Sequence, residues 1–334
     1  MSRTWTAGAV TGVGSLPGTD PAEAAKLVVG ELPLLPHLPE LPARGPGAGM
    51  VGRAAALLVD LPAEVVPTGW RLATHAGRDL RRARDLLEWD LDAIEAAAAG
   101  RDGPLKVQVT GPWTLAATLE LPNGTAVVGD HGASRDLAES LAEGIRAHLT
   151  EITRRLPQVT PVLQVDEPAL PSVLAGRVPT ASGWQTLRAV DRSLVRDTLT
   201  SVLAAAPEGA RVVHCCAPDV PPALFIEAGA DALSLDLTLI EAGVNDQLGE
   251  AVDAGISLWL GVVPGTDAVI SFDSARQRLT GFWNELGFPR AQLAEAVVPT
   301  PGCGLAGASP AYARRALSVL RELGSWLTEA GAEG

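Results

Sequence analysis

Short apolar runs rich in β-branched residues alternate along this chain with longer stretches of helical period. The short runs lie at 9 to 15 (AVTGVGS), 105 to 110 (LKVQVT), 160 to 165 (TPVLQV), 210 to 214 (ARVVH), 231 to 235 (DALSL), 257 to 263 (SLWLGVV) and 296 to 299 (AVVP). The helical stretches lie at 21 to 31, 78 to 99, 132 to 155, 190 to 205, 269 to 286 and 309 to 330. Strand and helix in turn predict a parallel sheet flanked by helices. Most of the runs do not alternate, as expected of strands buried on both faces. Seven strands are legible, and an eighth fits somewhere in 33 to 72, a proline-rich segment in which a regular central strand is interrupted. Eight such units predict an α/β fold of the (β/α)8 barrel type, with an open doubly wound sheet as the competing architecture. No linker, repeat or low-complexity tail divides the sequence, so residues 1–334 read as one domain.

Composition narrows the partners. With 47% hydrophobic residues over 334 positions there is material for a large core, and no apolar run is long enough to span a bilayer. The start carries no apolar h-region, so a cytoplasmic protein is expected. The net charge is −13, which argues against nucleic acid or an anionic membrane as a partner. Three cysteines make no disulfide framework. Their positions, Cys215, Cys216 and Cys303, are therefore the informative feature.

Chemistry gathers at the predicted strand ends. RVVHCCAPDV (211 to 220) places His214 and Cys216 on one face of a strand and Cys215 on the other. A metal site and inert buried filling both fit this stretch, whereas a dithiol redox pair would prefer C-x-x-C. Asp236 closes the next strand, and Cys303 lies between glycines after the last. His214, Cys216, Asp236 and Cys303 thus offer N, S, O and S donors from three strand ends, a set suited to zinc. LQVDEPAL ends another strand with Asp166 and Glu167, of which at most one points straight into the mouth; a carboxylate there can hold an ammonium or cap a helix. The turn GVGSLPGTD has the wrong spacing for a dinucleotide loop, but the backbone around Gly14 and Ser15 can hold a carboxylate. Asp20 is placed to cap the helix that follows. Trp113, in TGPWT, reads as a packing residue or as a wall over the mouth.

VGSLPGT, TGPWT, VDEPAL, HCC, GADALSLD and TPGCGL occur in an order that resembles the C-terminal catalytic barrel of the cobalamin-independent methionine synthases, within the uroporphyrinogen-decarboxylase-like superfamily. The resemblance covers nearly the whole chain. It implies methyl transfer to the thiol of homocysteine, with zinc held by His214, Cys216, the acid at Asp236 and Cys303. It also implies homocysteine contacts at Ser15 and Asp166, and methyl-tetrahydrofolate or a methylated corrinoid protein as donor. The family has Glu where Asp236 stands. Its His-Gly-Glu after the second strand finds no counterpart in 45 to 75. Its histidine after the seventh strand is missing, and Asp267 is the nearest ionisable group there. The family's N-terminal, folate-binding half is not expected in this sequence. Zinc-dependent alkyl transfer to another thiol, a decarboxylase and a non-catalytic member of the superfamily are the alternatives.

Overall fold

The computed structural model describes residues 3–332. Nine strands are present among them: β1 (Ala63–Val66), β2 (Gly69–Leu72), β3 (Gly103–Thr110), β4 (Leu119–Glu120), β5 (Val159–Asp166), β6 (Arg211–Cys215), β7 (Ala232–Asp236), β8 (Ser257–Val263) and β9 (Val297–Pro301). The helices are α1 (Pro21–Glu31), α2 (Met50–Leu57), α3 (Arg78–Ala97), α4 (Pro112–Thr118), α5 (His131–Arg155) and α6 (Leu170–Leu174), followed by α7 (Arg192–Leu203), α8 (Pro222–Glu227), α9 (Asn245–Asp253), α10 (Phe272–Glu285), α11 (Leu293–Ala296) and α12 (Pro310–Ala332). Strands β3, β5, β6, β7, β8 and β9 pair in that order, all parallel, into one curled sheet. Six of the seven expected strands fall on these elements. No helix among the described residues is long and apolar enough to cross a membrane.

The remaining expectations need correction. Residues 9 to 15 do not form a strand. They run extended against β9, where the Thr11 N–H donates to the Pro299 carbonyl at 3.3 Å, and make one isolated bridge between Ser15 and Glu40. Glycine is the reason: Gly12 and Gly14 lie under the His37 ring and the Gln108 amide, where a Cβ would come within 2.3 and 2.8 Å. The 33 to 72 segment is also divided. Residues 36 to 38 lie along β3, with Leu38 N–H donating to the Lys106 carbonyl and Lys106 N–H to that of Pro36. Prolines at 36 and 39 withhold the donors a regular ladder needs. Further on, β1 and β2 form a hairpin joined by β4 into a separate three-stranded sheet. Hydrogen bonds therefore lead from β3 through 36 to 40 and 11 to 16 to β9, by irregular segments.

Helix starts follow local chemistry. The Asp20 carboxylate accepts from Ala22 and Glu23 N–H, and Pro21 occupies the first turn of α1. The main core lies between strands and helices, and includes Val109, Val165, Val213, Leu235 and Leu260 from the outer face of the sheet. A second, smaller cluster fills the inside of the curl: Trp5, Ala9, Leu35, Val162, Val212, Ala232, Trp259 and Val298. This cluster forms the floor beneath the strand ends that carry the polar groups.

Candidate metal centre and amine pocket

Period-two alternation decides what stands above the floor. Two residues beyond Val162, Val212 and Ala232 come Gln164, His214 and Ser234, all buried. Strands β6 and β7 pair His214 directly with Ser234, and the His214 Nδ1 and Ser234 Oγ are 2.9 Å apart. Nε2 is buried and has no hydrogen-bond partner. Beyond it, the Cys216 and Cys303 sulfurs approach to 3.1 Å. The ligand atoms of His214, Cys216 and Cys303 lie within 4.8 Å of one another. Hydrogen bonding from Cys216, with the His214 imidazole close by, holds the Cys303 thiol far below its ordinary range, at about 4, while Cys216, which gives up its hydrogen to that bond, is raised. Cys215 points to the outer face, where burial pushes its thiol up to about 12. One nitrogen with no other partner and two converging sulfurs make a donor set that can hold a soft-to-borderline metal ion.

Asp236 borders this group without joining it. Its carboxylate accepts from Thr238 N–H at 2.9 Å and from Thr238 Oγ1 at 2.8 Å. It also packs on Gly302, where a Cβ would lie 2.6 Å from the carboxyl carbon. Ser15 closes the other side: its hydroxyl covers Gly304, and its carbonyl accepts from Leu305 N–H at 2.8 Å. The Ser15 turn and the Cys303 loop are therefore in contact.

Asp166 ends β5 inside the mouth, paired with His214 on one side and Thr110 on the other. Burial raises its carboxyl to about 7, opposed by the His214 and Lys106 charges. Glu167 faces elsewhere. Its carboxylate accepts from the N–H groups of Trp113 and Thr114 at 2.9 and 2.7 Å and from Thr114 Oγ1 at 2.7 Å, so it anchors the start of α4. The Trp113 ring lies in the main core and donates to the Val195 carbonyl at 3.3 Å, which places it away from the mouth. Asp267 accepts from Ser309 N–H and Oγ, both at 3.0 Å, and so ties the loop after β8 to the start of α12. Each of these three side chains is held by a structural partner rather than presented to the mouth.

Four residues were missed at the sequence level. Glu40, Lys106, Gln108 and Gln164 are buried beside Asp166. Lys106 Nζ donates to the Val13 carbonyl at 2.6 Å and to Gln108 Oε1 at 3.3 Å, and burial lowers its ammonium to about 7. Glu40 accepts from Gln108 Nε2 at 3.0 Å, with Arg53 Nε at 3.4 Å. The signal was present: Lys106, Gln108 and Thr110 are polar at every second position of an otherwise apolar strand. Glu40 lies just before the stretch in which a partner acid was sought.

The family model described as "Cobalamin-independent synthase, Catalytic domain" matches residues 8–325. The chain belongs to that family. Among solved structures it is similar to a B12-independent methionine synthase from Shewanella sp. W3-18-1 in complex with selenomethionine. The identity is 16%, the match covers 98% of this chain and 97% of that one, and the TM-score is 0.59. A GH5_18 protein from Streptomyces cattleya in complex with GlcNAc is similar at 14% identity, covering 99% and 82%, with a TM-score of 0.50. At these identities the likeness is one of fold, and one fold hosts many chemistries. No curated protein matches the chain. In this member of the cobalamin-independent synthase catalytic-domain family, the strand-end cluster of His214, Cys216 and Cys303 is the candidate site.

Proposed function

We propose that this chain moves a methyl group onto the thiol of homocysteine to form methionine, with zinc held by His214, Cys216 and Cys303. The observation that carries the reading is the convergence of one imidazole nitrogen and two thiol sulfurs from β6 and the loop after β9. Family membership supports the reaction. Zinc bound there would hold a substrate thiol as thiolate near neutral pH, the form that attacks a methyl carbon.

The chain's own residues would do the rest. Asp166 and Glu40 are buried carboxylates on either side of β3, placed to accept hydrogen bonds from the substrate ammonium. The Ser15 turn, in contact with the Cys303 loop, would hold the substrate carboxylate near its thiol. Asp236, which borders the cluster and is bonded to Thr238, would at most be a weak fourth ligand, one that a substrate thiol could displace. The methyl donor is methyl-tetrahydrofolate or a methylated corrinoid. In either case the new S–C bond forms as the bond to the donor breaks, and the electron pair stays with the donor. The irregular segments 11 to 16 and 36 to 40 serve as the first two staves of a (β/α)8 barrel, and residues 1–334 act as one domain. The free thiols of Cys215, Cys216 and Cys303 suit a reducing compartment, in keeping with a cytoplasmic location.

Protein purified without chelator is expected to carry about one zinc per chain. It should release methionine from homocysteine with one of the two donors. Cys303→Ser and Cys216→Ser should each lower zinc content and reduce turnover roughly 100-fold or more. Absence of methionine with both donors overturns the proposal.

A further inference from the structure

We infer that Gln108 and Gln164 are positioning residues that aim Glu40 and Asp166 at a ligand's ammonium group. The inference rests on the reading of those two acids as the amine pocket.

The two glutamines, Gln108 on β3 and Gln164 directly beside it on β5, make matching pairs of bonds. Gln108 Nε2 donates to the Leu38 carbonyl at 2.7 Å and to Glu40 Oε1 at 3.0 Å. Gln164 Nε2 donates to the Val13 carbonyl at 3.0 Å and to Asp166 Oδ1 at 2.7 Å. Each amide spends one N–H on a backbone carbonyl that can only accept and the other on a carboxylate that, when ionised, can only accept. The orientation of each amide is thereby fixed. On the Gln108 side Lys106 fixes it twice over, because its ammonium can only donate to Gln108 Oε1. The two acids flank β3. Gln108 pairs with Gln164 and Thr110 with Asp166, while the His37–Lys106 bridge lays the segment that carries Glu40 along the other side of β3.

The choice of glutamine matters for charge. An arginine in its place would neutralise the carboxylate, whereas an amide holds one oxygen and leaves the negative charge available. Arg53 Nε does lie 3.4 Å from Glu40 Oε1, but its Nη1 bonds to Asp90, so this cation is shared between two carboxylates. The hydrogen bonds described here use Oδ1 of Asp166 and Oε1 of Glu40, so the second oxygen of each is available to an ammonium. Gly14 belongs to the same device: a Cβ there would lie 2.8 Å from Gln108 Cδ, so glycine is what admits the amide.

The test compares two ligands on zinc-loaded protein by calorimetry: L-homocysteine, and 4-mercaptobutanoate, which has the same thiol and carboxylate but no amine. Wild type should favour homocysteine by about tenfold or more, the worth of charge-assisted hydrogen bonds. Gln108→Met and Gln164→Met, made separately, should each lose most of that preference while binding 4-mercaptobutanoate as wild type does. A general loosening of the site would weaken both ligands together, and that result, or retention of the full preference in both variants, overturns the inference. A wild type that binds neither ligand, or binds both equally, instead overturns the amine-pocket reading beneath it.

Discussion

The floor of the curl and the layer above it are built from the same strands, two residues apart, yet they have opposite chemistry. Ala9, Leu35, Val162, Val212, Ala232 and Val298 pack around Trp259, on which Trp5 rests edge-on at 5.1 Å. Two residues further along each strand or extended segment stand Thr11, His37, Gln164, His214, Ser234 and Thr300, all buried. Hydrocarbon in the floor gains from leaving water. The layer above gives up hydration and recovers it only through specific partners. Several of its atoms, including both His37 nitrogens, Gln164 Oε1, Thr300 Oγ1 and His214 Nε2, have none within the protein. The floor therefore supplies stability, and the layer above spends part of it on holding groups in place for chemistry.

That division can be broken by substitution. Trp259→Ala, in the floor, should cost about 3–5 kcal/mol in urea unfolding. It should leave the zinc content of the folded protein unchanged, and loss of zinc with little loss of stability would reverse the assignment. A polar group buried outside the mouth sharpens the contrast. His148 lies on the buried side of α5, and burial, reinforced by the charge of Arg53 and opposed by Glu151, lowers its pKa to about 3. The unfolded chain takes up a proton near the ordinary histidine value, so the unfolded state binds more protons between about pH 6.5 and 3. Stability is then complete above about pH 6.5 and falls as the pH drops, by about 2 kcal/mol between pH 6.5 and 5. His148→Gln should flatten that part of the profile, and an unchanged slope would show that another group carries it. The smallest effect belongs to the layer above the floor. Ser234→Ala frees His214 Nδ1 and should weaken zinc about tenfold in chelator competition, with Ser234→Thr restoring it. Equal affinity in all three proteins would remove Ser234 from the metal centre.

Much of this was legible in one dimension. The runs at 105 to 110, 160 to 165, 210 to 214, 231 to 235, 257 to 263 and 296 to 299 lie within a few residues of β3 and β5 to β9, because strands buried on both faces are written as unbroken apolar runs. The Asp20 cap was legible for a local reason as well, since the N–H groups its carboxylate accepts from lie two and three residues away. The 9 to 15 run misled because its valines read as strand, while its glycines answer to the side chains of His37 and Gln108 far along the chain. Trp113, Glu167 and Asp267 were open in the same way, each fitting a place in the site or a structural role. Their types allow a role in a site, and only Val195, the start of α4 and Ser309 show where they are held.

The sequence by itself determined the alternation of strand and helix, the strand ends at which His214, Cys216, Asp236 and Cys303 stand, and the resemblance in motif order to one family. Local periodicity and spacing are properties of a chain, so they can be read from it. The tertiary structure decided which of those strand ends meet: His214, Cys216 and Cys303 come together, Asp236 turns to Thr238, and Glu40 joins Asp166 across β3. The approach of residues 87 positions apart, as Cys216 and Cys303 are, depends on how the sheet curls and on which glycines let segments touch. Neither of those is encoded by neighbours in sequence.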